Sequence, residues 1–171
     1  MDIRQQFGVV VGLLVFSMAA LAQPGAPGFI RWSAEELGNR SRALGTTIGA
    51  DGSSRETLAD YGSPTGAHRF RLIRRDGDGA PEQHANIEDV VFIQSGSATL
   101  VVGGELVGRT GDSGESRGTG MTGGVRYEVS QGDILHIPAD TPHRYLVRDG
   151  EHVTYALVRM PALVEERVVA V

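Results

Sequence analysis

The 171-residue chain contains no cysteine. Disulfides, thiolate zinc sites, iron–sulfur clusters and a lipid-modified cysteine anchor are therefore excluded, and stability must rest on a packed core. Lysine is absent too, so every basic side chain is an arginine. That removes Schiff-base chemistry, lysine general bases and phosphate-loop ATP binding. A net charge of −5 with scattered arginines argues against nucleic acid as a partner. No H-E-x-x-H metalloprotease signature is present, and a serine nucleophile is not expected. What remains is a chain long enough for one domain with a real core and not comfortably enough for two.

The first residues predict export. Arg4 precedes a run of apolar and small residues from Phe7 to Ala22, interrupted only by Ser17, and Ala20-Leu21-Ala22 offers a small-x-small cleavage site before Gln23. The run falls short of the roughly 20 residues that a membrane-spanning helix needs. Residues 1–22 are therefore expected to be a signal peptide, leaving a periplasmic or secreted product with no stable membrane anchor. Residues 23–66 are expected to hold a Pro/Gly-rich leader, a short helix and a loop. A β-barrel is expected over 67–160 and a tail over 161–171, apolar at its end and able to add an edge strand.

Ser33-Ala-Glu-Glu36 has the spacing of a capping box and predicts a polar surface helix through about Leu44. Gly45 to Gly66 shows no sustained period and has room for one edge strand. From His68 onward Phe70 and Leu72 alternate with arginines, the pattern of a half-buried strand. Arg69, Arg71, Arg74 and Arg75 are expected on its solvated face; one turned inward would point to a carboxylate or phosphate ligand. Further strands are expected at 89–94, 98–102, 105–107, 125–129, 134–137, 144–147 and 153–160, with Gly96 and Gly103-Gly104 marking hairpins. Residues 109–124, rich in Gly, Ser and Thr, are expected to cross between two sheets. Many short strands, Gly-rich turns and almost no helix place the chain in the all-β class, as a jelly roll or barrel.

Two segments carry metal-capable side chains at the edge of a β-patterned run. The first is Glu82-x-His84-x4-Asp89-x6-Gly96, the second Gly132-x5-Pro138-x-Asp140-x2-His143. Residues two apart in a strand share a face, so Glu82 and His84 can both point into a barrel. Two imidazoles plus a carboxylate form the facial triad that leaves open positions on a metal. His84, Asp89 and His143 are thus the candidate triad, with Glu82 as a fourth, exchangeable ligand, and a two-carboxylate mix suits iron, manganese or zinc better than Cu(I). Tyr145 shares a face with His143 and is a candidate cavity-lining residue, as is His136. Each has a plainer alternative. His84 could be a solvated loop histidine, and His143 could bond a loop carbonyl. Asp89 could cap a turn or pair with an arginine. Glu82 could be a surface acid, and His136 could be exposed.

The spacing of both segments resembles the cupin superfamily, whose motifs run G-x5-H-x-H-x3-4-E-x6-G and G-x5-P-x-G-x2-H-x3-N. The resemblance covers roughly His68 to Met160. Glu82 stands at the first histidine position, Asp89 at the glutamate, Asp140 at the second motif's internal glycine and Val147 at its asparagine. The resemblance implies a double-stranded β-helix holding a divalent metal, a small-molecule ligand in the barrel and a homodimer. Its members include dioxygenases, isomerases, decarboxylases and sugar-binding modules, so fold does not select an activity.

Overall fold

The computed structural model describes residues 26–62, 68–112 and 114–162. The expected signal peptide at 1–22 and all but the first two residues of the expected tail lie outside the described residues. The chain divides after Arg31 into two units. In the first, the described stretch 26–31 holds a turn closed by the Phe29 N–H donating to the Ala26 carbonyl at 3.0 Å. The second, from Trp32, carries the helix and all the described strands. No described helix is long and apolar enough to cross a membrane.

Helix α1 spans Ala34–Gly45 and starts where expected, with the Ser33 hydroxyl accepting from the Glu36 N–H at 3.1 Å. The Glu36 carboxylate turns forward to Arg40, 2.8 Å away, which sits one turn on. The helix is less superficial than its polarity suggests. Leu37, Ser41 and Leu44 share one face at i, i+4 and i+7, and Ser41 and Leu44 are buried. Ser41 satisfies its hydroxyl on Thr154, 2.8 Å away in the adjoining sheet.

The strands in chain order begin with β1 (Ser53–Asp60), β2 (Arg69–Arg75), β3 (Glu82–His84), β4 (Ile87–Val102), β5 (Glu105–Val107) and β6 (Thr110–Gly111). They continue with β7 (Glu115–Arg117), β8 (Gly120–Thr122), β9 (Val125–Ser130), β10 (Ile134–Ile137), β11 (His143–Leu146) and β12 (Val153–Pro161). All pairings are antiparallel. One sheet runs β1-β2-β12-β4-β10, the other β9-β4-β11-β3-β7-β6, and β5 pairs with β8 in a separate ribbon. The architecture is the all-β jelly-roll barrel expected, with one short helix against it. The first sheet begins at Ser53, ahead of the expected boundary at 67.

Strand β4 belongs to both sheets. Its first half pairs with β12 and β10, its second with β11 and β9. Gly96, expected in a hairpin, is instead the bend within this one strand. Its φ is +72°, and a Cβ there would lie 1.9 Å from the His152 carbonyl oxygen, so only glycine fits. Between the two sheets Val91, Ile93, Leu100, Val129, Ile137, Val153 and Leu157 form the core with the stacked rings of Tyr145 and Tyr155. Burying each aliphatic side chain contributes about 1.5–3 kcal/mol, enough to replace covalent cross-links.

Two further expectations differ from the structure. In β2 the arginines do not share a solvated face. Arg71 and Arg75 line the barrel cavity beside Ile73, and Leu72 is buried outside the core cluster. On the opposite face Arg74 donates to the Ser41 carbonyl at 3.5 Å, so α1 covers the side that the pattern marked as inward. Both faces of β2 are thus occupied, which alternation alone does not reveal. Residues 109–124 are no bare crossing either: β6 and β7 extend the second sheet beyond β3, and β8 closes the ribbon with β5.

Candidate metal and ligand site

The site forms at one end of the barrel. In the second sheet His143 of β11 stands opposite Glu82 of β3, and Glu82 stands opposite Arg117 of β7; His84, two residues along, faces Glu115. In the first sheet Arg159 of β12 is in register with Asp89 of β4. Asp140, at the position where the cupin motif has glycine, takes a φ of 59°. A short polar side chain tolerates that region. The Asp140 N–H donates to the His84 carbonyl at 2.7 Å, which locks the second motif's turn onto β3.

Glu82, His84 and His143 offer ligand atoms that all lie within 4.8 Å of one another. His84 and His143 are almost completely buried, at 3% and 2% exposure, with rings 5.4 Å apart. The Nδ1–H of His143 donates to the Thr141 carbonyl at 3.0 Å, which fixes the ring and aims Nε2 at Glu82 Oε1, 3.6 Å away. The loop-carbonyl bond named as the plain alternative for His143 is present, and it leaves Nε2 facing the interior. Burial would raise the Glu82 pKa, but the adjacent His143, and with it His84 and Arg75, outweigh burial and hold it at about 2. Burial would lower His143, but Glu82 and the Thr141 carbonyl raise it above the usual histidine value.

Asp89 lies beside this group and outside it. Arg159 grips its carboxylate with Nε at 2.9 Å and Nη2 at 3.0 Å. The arginine partnership left open for Asp89 is the one found, and it neutralises a carboxylate only 4% exposed. Arg159 Nη2 also reaches His84 Nε2 at 2.8 Å. A guanidinium only donates, so Nε2 accepts and the neutral ring carries its proton on Nδ1. That Nδ1 sits 2.8 Å from Glu115 Oε2 but off the hydrogen-bonding direction, which leaves it a buried polar atom without a proper partner. Burial, then the Arg159 charge, lowers the His84 pKa and keeps the ring neutral against the pull of nearby carboxylates.

A cavity of about 50 Å³ opens against these residues, lined also by Arg55, Arg71, Arg75, Tyr145 and Tyr155. Tyr145 lines it as expected, with its hydroxyl buried and unpartnered. His136 does not. Ile137 takes the buried position, alternation turns His136 outward, and its Nε2 lies 3.2 Å from Glu88.

Sequence reasoning missed Arg159, Arg117 and Glu115, and placed Arg71 and Arg75 on a solvated face. Arg159 was accessible in principle: Val153, Tyr155 and Leu157 alternate inward along β12, and Arg159 is the next residue in that series. Glu115 carried no such signal, since β7 is a three-residue strand inside a Gly-rich stretch. Gly114-x-Ser116-x-Gly118 also has the spacing of a nucleophile elbow. Ser116, however, lies in mid-strand, with Oγ 3.0 Å from Arg109 Nε and bonded to the Asp112 carbonyl, so no strand-to-helix turn exposes it.

No family model and no curated protein matches the chain. Solved structures similar to it include a polyketide cyclase from Streptomyces resistomycificus, at 17% identity over 70% of this chain and 76% of that chain, TM-score 0.46. A cupin 2 conserved barrel domain protein from Rhodopseudomonas palustris is 21% identical over 67% of this chain and 63% of that one, TM-score 0.42. A protein from Neisseria meningitidis is 16% identical over 72% and 95%, TM-score 0.46. The fold assignment stands on the strand pairing described above, and the site on its own geometry.

Proposed function

We propose that the chain binds one divalent ion, iron, manganese or zinc, through Glu82, His84 and His143 and presents it to a small organic molecule in the barrel. The observation that carries this is the convergence of two buried imidazoles and a carboxylate within 4.8 Å. The donor set fits such an ion: two buried imidazoles and a carboxylate converge, and His143 is fixed through Nδ1 so that its Nε2 faces Glu82. When bound, the ion supplies Lewis acidity to an oxygen of the ligand. The chain's own residues do the rest. Arg159 neutralises Asp89, Thr141 holds the His143 ring, and Tyr145 and Tyr155 wall the cavity with neutral phenols, their pKa values raised by burial.

One observation favours a second reading, a ligand-capturing barrel whose metal site is vestigial: Arg159 already occupies the His84 lone pair. Elemental analysis of purified protein, wild type beside His84→Ala/His143→Ala, separates the two. Near-stoichiometric metal, lost in the double variant, supports the metal reading. No metal in either, even after reconstitution with iron, manganese and zinc, leaves the capture reading.

Export and dimerisation belong to the same proposal. The signal-like residues 1–22 support the first, checked by the mass of the protein in the culture medium or periplasm. The edge strands β1 and β9 support the second, because β9 exposes Val125 and Tyr127 and unpaired edges favour association. Light scattering on the eluting protein checks it.

A further inference from the structure

The five arginines around the cavity are not equivalent. Arg159 is engaged by Asp89, His84 and Glu115, Arg75 by Tyr155 and Glu82, and Arg55 by Asp51 and Ser53. Arg71 and Arg117 line the same cavity, and neither side chain has a hydrogen bond or ion pair with any described residue. They come from different sheets, Arg71 from β2 and Arg117 from β7.

Arg71 is half-buried, and its surroundings disfavour its charge. Burial, then repulsion from Arg159, Arg69 and Arg55, lowers its pKa, while Asp89 acts in the other direction. A partly desolvated cation among like charges is costly unless something compensates it. The cavity lining as a whole has the same sign: five arginines face three carboxylates, Glu82, Asp89 and Glu115, on a chain whose net charge is −5. Each of those carboxylates already has a partner, Asp89 and Glu115 in Arg159 and Glu82 in His143 and Arg75. Positive charge is therefore concentrated at the mouth against the overall balance, where it draws anions in.

We propose that the mouth of this cavity is an oxyanion site, in which Arg71 and Arg117 receive the carboxylate or phosphate group of a small ligand from opposite sheets. The planar fork of a guanidinium matches both groups with paired hydrogen bonds. The cavity of about 50 Å³ admits one small group and excludes a bulky one in this conformation. The inference rests on the reading that this cavity takes a ligand, and does not require the metal to be bound.

The test is calorimetric titration of purified protein with malonate, with inorganic phosphate and with malonamide, the neutral analogue of malonate. Saturable binding of malonate or phosphate is expected, weakened at least tenfold in Arg71→Gln and in Arg117→Gln, with malonamide silent. Whichever anion binds more tightly identifies the ligand's group as carboxylate or phosphate. Arg148→Gln, which removes an exposed arginine that does not line the cavity, is expected to bind as wild type. The exposed Arg117 position keeps the test available should Arg71→Gln fail to fold. Malonamide binding as well as malonate, neither anion binding, or equal losses in Arg148→Gln and the cavity variants would overturn the proposal. A parallel Mn²⁺ titration separates the two readings. Metal binding without anion binding overturns this inference and leaves the metal site standing; anion binding without metal binding does the reverse.

Discussion

Arg159 Nη2 lies 2.8 Å from His84 Nε2, so the one lone pair of a neutral imidazole is engaged by an arginine that also neutralises Asp89. A cation ligated by His84 must take that lone pair, whichever nitrogen it uses, and the arginine contact is then lost. Arginine and metal therefore compete. Replacing the pair together, as Asp89→Asn/Arg159→Gln, removes the competitor without changing the local net charge. A charge-assisted hydrogen bond is worth about 1.5–3 kcal/mol, so the double variant is expected to bind Mn²⁺ or Zn²⁺ about ten- to a hundredfold more tightly. Metal titration by calorimetry checks this, and an unchanged affinity would show that the contact is not competitive.

The Glu82–His143 pair makes the stability of the metal-free protein depend on pH at both ends. Glu82 is held down at about 2, so its contribution is complete above its ordinary value near 4.5 and is lost as pH falls toward 2. His143 is raised, so its contribution is complete below its ordinary value near 6.5 and is lost as pH rises through the folded value. Denaturation of wild type and Glu82→Gln across pH 2–9 reads the pair as a difference. The stability gap is expected to be widest between about pH 4.5 and 6.5 and to narrow on either side. A pH-independent gap would mean that the two groups are not paired.

Gly96→Ala should destabilise the barrel by at least about 2 kcal/mol, because the added Cβ meets a backbone carbonyl in a left-handed conformation. Gly150→Ala is the matched control. It also has positive φ, but its Cβ would meet nothing within 4 Å. Its expected cost is about 1 kcal/mol, from the backbone alone. Urea denaturation separates the two, and equal costs would mean that the His152 carbonyl moves aside.

Tyr145→Phe should leave the free protein as stable as wild type or stabilise it by up to about 1 kcal/mol, because it removes a buried hydroxyl that bonds to nothing and keeps the ring stacked on Tyr155. A clear fall in melting temperature would mean that the hydroxyl has a partner, such as bound water, in solution.

Much of the fold is legible because its causes are local. The Ser33 cap, the alternation in β10 and β12 and the β-patterned run ending at Gly96 each follow from neighbouring residues. The same applies to Glu82 and His84, which share a face because they lie two apart in a strand. Their meeting with His143 rests on motif spacing about fifty residues apart, which the barrel converts into proximity.

What the sequence by itself determined is the set of groups available: no thiol, no lysine, five histidines and carboxylates at strand edges. That set rules out thiolate ligation of a metal and leaves arginine as the only side chain that is always cationic. Only the tertiary structure decided how the groups pair. Asp89 joins Arg159 because β4 and β12 align in register, and Glu115 reaches His84 because β7 lies beside β3. Arg71 turns inward because α1 covers the other face of β2. The physical reason is common to all three. An ionisable side chain takes its role from the charges and burial imposed by other strands, and these depend on register and sheet stacking, which one strand's own pattern does not encode.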